Sequence, residues 1–307
     1  MLFVPDPTSS EPPQYPLRGV LLVAFAVLLF AAMDTTTKYL AASYKVPLIM
    51  AVRYAINLAL MVVVFAPRKS KHLVETKRTG LVLVRSACLT VASLTMGLAL
   101  QRMPVAETTA ILFFAPVLVV LAARPLLGEY IGAIGWAAAI AGFIGVLLVV
   151  RPGSGLESLG IVFALATAGM NVVYQLLSRL LAASERTIAL LFYSVLVGAI
   201  LFGVSVPWVL GRPPGALDLV AFAGLGIMGV LGHYLYTAAY RHASASMLAP
   251  MNYLQLVWAG LLGWLVFNHV PDALSVAGMA IIGGAGTAIA LGSRRRPTAT
   301  SEPVVED

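Results

Sequence analysis

Apolar residues run along this chain in long blocks rather than in alternation. The block Trp136–Val150 shows no polar residue at a two-residue period, so the strand pattern of a membrane β-barrel is excluded there. Blocks of about 20 residues, punctuated by proline, glycine and charge, have the length an α-helix needs to cross a hydrocarbon core. Ten such blocks predict helices over residues 18–40, 47–66, 79–101, 105–127, 131–150, 157–182, 186–210, 217–241, 244–267 and 272–292. The linkers between them are short, and the longest, 67–79, is basic. The expected fold class is therefore an all-α membrane protein with ten transmembrane helices.

Composition agrees. Of 307 residues, 60% are apolar and 11% charged, whereas soluble domains carry about 45–50% and about 25%. Mean hydropathy is +0.93. Twenty basic and thirteen acidic residues cannot solvate a water-facing surface of this size. The single cysteine, Cys88, can form no internal disulfide and no metal cluster. Neither a metal nor a cofactor is expected. The net charge of +7 is scattered among the linkers, so lipid and not nucleic acid is the expected partner. No hydrophilic stretch is long enough for an extramembrane catalytic domain.

Linker charge predicts orientation. If the N-terminus is cytoplasmic, the inner segments carry Arg18, Arg68, Lys69, Lys71, Lys77, Arg78, Arg124, Arg179, Arg186, Arg241 and Arg294–Arg296. The outer segments carry only Lys45, Arg102, Arg151 and Arg212. This positive-inside bias predicts a multi-pass membrane protein with both termini cytoplasmic. Residues 1–17, with prolines at 5, 7, 12, 13 and 16, read as a disordered tail, and residues 293–307 as another. The charged stretch Asp34–Lys38 directly after the first apolar run argues against a cleaved signal.

The ten helices divide into five plus five at Arg151-Pro152-Gly153, giving repeats over 18–150 and 157–292. Sliding one half by 140 residues sets Ala99–Glu129 against Ala239–His269 without gaps, with Ala99/Ala239, Val117/Val257 and Leu121/Leu261 identical. An odd number of helices per half makes the repeats inverted, and inverted repeats mark secondary transporters with a site near the midplane.

The segment Pro104-Val-Ala-Glu-Thr-Thr-Ala-Ile-Leu-Phe-Phe-Ala-Pro116 leads into Leu127-Gly128-Glu129, followed by Trp136, Gly142-Phe-Ile-Gly-Val146 and Arg151-Pro152-Gly153. These motifs resemble the EamA domain of the drug/metabolite transporter superfamily, and the resemblance spans residues 18–292. In the second half Asn268-His269 stand where the Gly-Glu pair would fall, and Leu256 stands opposite Pro116. The resemblance implies a carrier of small organic metabolites working by alternating access. Asp34-Thr-Thr-Thr-Lys38 and the Arg-Pro-Gly loop are most similar to branches that include riboflavin and S-adenosylmethionine carriers, and amino-acid and metallophore exporters share the domain. Riboflavin uptake is the specific expectation, with those other solutes as alternatives. A homodimer is compatible with the pattern.

Charges within a bilayer are costly, about 2.5–3.5 kcal/mol each, and are functional candidates by default. Asp34 and Lys38, spaced i,i+4, share a face of helix one, as an ion pair in the site or as a snorkelling pair at the interface. Arg53 is deeper than a linker charge, with Asn57 one turn on. Arg85 enters helix three from the basic side, either to bind substrate or to snorkel to headgroups. Glu107 falls in the first turn of helix four, as a helix-end carboxylate or, with Asp34, as a proton-coupling acid. Asn171, Tyr174 and Gln175 share a face of helix six, and Asn252 and Gln255 a face of helix nine near Tyr253 and Trp258. His233, Tyr236, Thr237 and Tyr240 repeat along helix eight. Such amides are either packing glue or, with the aromatic stripe, a surface for a flat or amphipathic solute. The candidate substrate site is thus Arg53, Asp34, Lys38, Arg85, Asn171, Gln175, His233, Tyr236, Asn252, Gln255 and Trp258. An intramembrane lipid-modifying enzyme is the alternative of another class, and it finds neither a His-Glu-x-x-His helix nor closely spaced carboxylates here.

Overall fold

The computed structural model describes residues 16–115, 117–118, 133–151, 155–182, 184–239, 242 and 248–292. Within helices it leaves aside the side chains at 16, 64–73, 133–135, 179, 182, 237, 249–250 and 289–292. The two tails, Pro116, the Leu127-Gly128-Glu129 motif, Pro152-Gly153, Tyr240 and Arg241 lie outside the described residues, as does the side chain of Thr237.

No strand occurs among the described residues. The helices are α1 (Pro16–Ala41), α2 (Val46–Val74), α3 (Thr79–Arg102), α4 (Val105–Leu112) and α5 (Ala133–Val150). There follow α6 (Ser158–Ala182), α7 (Thr187–Val209), α8 (Ala216–Ala239), a 3-10 turn (Ala249–Tyr253), α9 (Leu254–Phe267) and α10 (Ala273–Gly292). Six of them, α1, α2, α3, α6, α7 and α8, are long and apolar enough to cross a membrane. The apolar stretches Trp136–Val150, Met251–Phe267 and Ala273–Ala288 are shorter.

Two expected helices are interrupted. The helix predicted over 105–127 ends its first segment at Leu112 and passes through a turn at Phe113-Phe114, where the Phe114 amide bonds the Ile111 carbonyl in 3-10 fashion. A proline at 116 has no amide hydrogen to give the Leu112 carbonyl. The helix predicted over 244–267 likewise opens with the 3-10 turn, which contains Pro250. Phe113 and Tyr253, partners under the 140-residue shift, meet with ring centroids 5.1 Å apart.

Packing is mostly between helices distant in sequence. The most extensive contacts are α3 with α6, α5 with α10, α1 with α8 and α2 with α7, then α1 with α9, α3 with α7 and α2 with α8. Lipid offers little hydrophobic drive for helices to associate, so close backbone approach at small residues does much of the work. A Cβ at Gly145 would lie 2.8 Å from the Gly278 carbonyl oxygen, which brings α5 against α10 at van der Waals contact. At Gly198 the ring of Tyr54 fills the Cβ position, seating α2 on α7. Outward faces are apolar: Phe143, Ile144 and Leu147 on α5, Val204 and Trp208 on α7, and Val220 on α8 are all exposed.

Linkers 42–45, 103–104, 210–215 and 268–272, with Arg151 and Glu157, converge at one end of the bundle, opposite the start of α1. Tyr44 donates to Asp218 at 2.7 Å, Arg102 pairs with Glu157 at 3.2 Å, and Arg151 pairs with Asp272 at 2.8 Å. At the other end the Glu185 carboxylate accepts the amides of Lys77 and Arg78.

Candidate functional site

Asp34 lies well along α1 and is only 7% exposed. Its neighbours Thr35, Thr36 and Thr37 spend their hydroxyls on the carbonyls of Ala31, Ala32 and Met33. Asp34 itself reaches across to α9, accepting Gln255 Nε2 at 3.3 Å. Arg53 of α2 acts electrostatically on both Asp34 and His233. Its guanidinium carbon lies 5.8 Å from the Tyr54 ring centroid, and its buried Nε has no hydrogen-bond partner.

One turn along α2, Asn57 faces Gly229 of α8. Its amide nitrogen and oxygen lie 3.6 and 3.7 Å from where a Cβ at 229 would stand. The Asn57 Oδ1 is also buried without a partner. One turn further on α8, the His233 ring tilts against Phe30 at 4.9 Å, and Tyr236 lies 6.2 Å from Phe30. Trp258, one turn past Gln255, packs beside Val23, Val27 and Leu248, as do Phe30 and Tyr236. Its indole N–H is buried and unpartnered. Each such atom costs about 1–3 kcal/mol when left dry. Two free donors, one free acceptor and a carboxylate with a single amide bond can grip a solute carrying both donors and acceptors, between flat aromatic walls.

Arg85 has different surroundings. It is 4% exposed, with its guanidinium turned inward between helices. From α3 it donates to Ser178 Oγ at 2.7 Å and Tyr174 OH at 2.8 Å on α6. On α7 it donates to the Leu190 carbonyl at 3.1 Å and Ser194 Oγ at 2.8 Å. The Tyr174 ring also lies 4.3 Å from the guanidinium. With four of its five N–H groups so used, Arg85 clasps three helices. The amide faces separate too. Asn171 bonds the Thr167 carbonyl of its own helix, and α6, which also carries Gln175, packs chiefly on α3 and α4. Only Gln255 joins Asp34, while Asn252 sits half-buried in the 3-10 turn.

The i,i+4 spacing of Asp34 and Lys38 yields no ion pair among the described residues. Lys38 Nζ instead donates to the carbonyls of Leu100 and Met103 at 2.9 and 2.8 Å, the negative end of the α3 dipole. Glu107 lies within its electrostatic reach. Glu107 is not a water-facing helix-end carboxylate. It is 3% exposed and bonds His269 Nε2 at 3.0 Å through Oε1. Its Oε2 is buried and unpartnered. His269 was not among the expected site residues. The 140-residue shift marks its position as a departure from the repeat, and spacing alone could not name its partner. Nearby, the Ser275 amide and then the Arg151 guanidinium hold the Asp272 carboxyl below its ordinary range.

A groove of about 380 Å3, lined by Thr35, Thr36, Tyr39, Gly224, Met228 and Val266 among others, is mostly apolar. Its threonine hydroxyls are already bonded, so the unsatisfied chemistry lies elsewhere, at Arg53, Asn57 and Trp258 and, in and beside the His269 contact, at Glu107 and Thr109.

Known proteins show the same organisation. One crystal structure, 21% identical, matches with a TM-score of 0.64 over 90% of this chain and 98% of that chain. The chain is 27% identical over 271 residues to the pseudopaline exporter of Pseudomonas aeruginosa, covering 86% of this chain and 93% of the relative. It is 24% identical over 273 residues to the riboflavin transporter of Vibrio cholerae, covering 87% and 91%. It is 23% identical over 271 residues to the S-adenosylmethionine uptake transporter of Rickettsia prowazekii, covering 87% and 90%. The pattern of the EamA-like transporter family matches residues 17–151 and again residues 158–291. With ten α-helices among the described residues, a polar group buried between them and two family matches along its length, the chain belongs to the EamA-like transporter family.

Proposed function

We propose that this transporter is a secondary carrier that moves a small organic metabolite across a bacterial inner membrane by alternating access. Its substrate site is the group Asp34, Arg53, Asn57, His233, Tyr236, Gln255 and Trp258. The carrying observation is the set of buried polar atoms without partners, Arg53 Nε, Asn57 Oδ1 and Trp258 Nε1, drawn from both halves of the chain. Buried polar atoms are almost always satisfied, so this set reads as waiting for a solute. Lys38, Asn171, Gln175 and Asn252 stand outside the group, and Arg85 is a clasp. Asp34 and Glu107 are the proton-coupling candidates.

Two inverted five-helix repeats, 18–150 and 157–292, form the carrier, with all ten helices spanning and both termini cytoplasmic. The two family matches and the packing support this reading. Exchanging the halves turns α3–α6 into α8–α1, α1–α9 into α6–α4 and α3–α7 into α8–α2, and each of these pairs is in contact. A homodimer fits the same fold.

Riboflavin uptake is the specific reading: an isoalloxazine offers a flat face to Phe30, His233 and Tyr236 and both donors and acceptors to the free polar atoms. The opposed charges of Asp34 and Arg53 favour a second reading, a zwitterion such as S-adenosylmethionine or an exported amino-acid-like metabolite. For the intramembrane enzyme there is no paired-carboxylate support, since Asp34 and Glu107 belong to separate clusters.

The test is riboflavin uptake by a riboflavin-auxotrophic bacterium lacking its own carrier, with and without this gene, and with an uncoupler. Gene-dependent uptake that collapses with the uncoupler is the expected result. Absence of uptake, with the protein confirmed in the membrane, removes riboflavin and turns the assay to S-adenosylmethionine.

A further inference from the structure

At the end of the bundle opposite the start of α1, three ionisable side chains from both halves meet around the start of α4. Pro104 precedes that helix, and Val105 to Ile111 are all buried, so a carboxylate in its first turn sits away from bulk water. Glu107 reaches instead to the α9–α10 linker. There Asn268 takes a left-handed conformation, φ 53°, with its amide on the Trp264 carbonyl. That reversal ends α9 and turns the next residue, His269, back toward α4, where Nε2 meets Glu107 Oε1 at 3.0 Å.

From α1, Lys38 spans to the end of α3 through the Leu100 and Met103 carbonyls, with its ammonium 5.5 Å from the Phe267 ring centroid on α9. The other charges at this end are engaged elsewhere, Arg102 with Glu157, Arg151 with Asp272, Arg212 with Asp218 and Lys45 with the Trp208 carbonyl. The contact leaves one oxygen over: Glu107 Oε2 is buried without a hydrogen-bond partner. That atom is relieved when water enters or when Lys38 leaves its carbonyls for the carboxylate, so this arrangement has a second state within reach.

We propose that Lys38, Glu107 and His269 are the positioning residues of a gate that closes this end over the site at Asp34 and Arg53. The Glu107–His269 contact ties the first half to the second, and its separation opens the path. Of the three, Lys38 lies on α1, which also carries Asp34 one turn before it. Movement at the site is thereby transmitted to the gate along one helix.

This inference rests on the carrier reading, and its test uses no substrate. In a Cys88→Ala protein, Asn57→Cys places one thiol in the site. A membrane-impermeant thiosulfonate is applied to right-side-out and, separately, inside-out vesicles. Glu107→Leu and His269→Leu should each speed labelling about tenfold from the face bearing the gate and leave the other face unchanged. His269→Gln, whose amide can still donate to Glu107, should restore slow labelling. A merely structural role would speed labelling from both faces or neither, and either pattern overturns the gate. If a variant does not reach the membrane, Glu107→Cys with His269→Cys decides: an oxidant should block labelling of Asn57→Cys from that face and a reductant restore it, and unblocked labelling overturns the gate. Failure of the parent to move any solute would count against the carrier reading and leave the labelling result standing.

Discussion

Replacing Arg85 with methionine and, separately, with lysine distinguishes a clasp from a substrate ligand. Four hydrogen bonds tie the guanidinium to α6 and α7. Interhelical bonds in membranes average about 0.6 kcal/mol each, so the four are together worth roughly 2–3 kcal/mol. Methionine also removes an intramembrane charge whose insertion costs about 2.5–3.5 kcal/mol. The partners left behind are not orphaned as donors, because the Ser178 and Ser194 hydroxyls still reach the Tyr174 and Leu190 carbonyls. Arg85→Met should therefore change stability by no more than about 1 kcal/mol. Lysine keeps the buried charge but, as a point donor, cannot span Ser178, Tyr174 and Ser194 or stack on the Tyr174 ring. Arg85→Lys should be the less stable variant by about 1–2 kcal/mol. Reversible unfolding of detergent-purified protein by increasing mole fraction of sodium dodecyl sulfate reads both. A lysine variant more stable than the methionine one refutes the clasp. So does loss of solute binding by a folded methionine variant, which would return Arg85 to the substrate site.

Arg53→Ala should abolish transport while membrane insertion stays intact; normal transport by the inserted variant would remove Arg53 from the site. Gly145→Ala sets a methyl 2.8 Å from the Gly278 carbonyl oxygen, a backbone atom with no rotamer to change. It should lower stability by about 1–3 kcal/mol, and an unchanged thermal midpoint would show that α5 and α10 separate freely. Asp272 caps α10 through the Ser275 amide and pairs with Arg151. Because its folded-state carboxyl ionises below its ordinary range, its contribution is present above about pH 4 and lost as pH falls through that lower value. Asp272→Ala should thus melt earlier at pH 7 and converge with the parent once the pH has fallen below that lowered folded-state value. A melting difference that does not narrow on acidification would refute that linkage.

Hydropathy alone located the helices, because a lipid-exposed segment must bond its own backbone and stay apolar for its whole length. The first helix, expected over 18–40, is Pro16–Ala41, and the third, expected over 79–101, is Thr79–Arg102. The burial cost of a charge singled out Asp34, Arg53 and Glu107, and the structure finds Asp34 and Glu107 buried. Partnership was not legible, because it depends on how helices far apart in sequence cross. Only packing decides that Lys38 serves the end of α3 rather than Asp34, 4 residues away. Gln255 meets an acid 221 positions distant, and His269 finds Glu107 only because Asn268 reverses the chain. Arg53 and Arg85 look alike in sequence, each a lone cation in an apolar run. Three-dimensional neighbours separate them: Ser178, Tyr174, Ser194 and the Leu190 carbonyl take four of the five N–H groups of Arg85, while Arg53 Nε is left with no partner. Covalent chemistry along one helix dictates what must be buried, and the crossing of several helices dictates what is satisfied there.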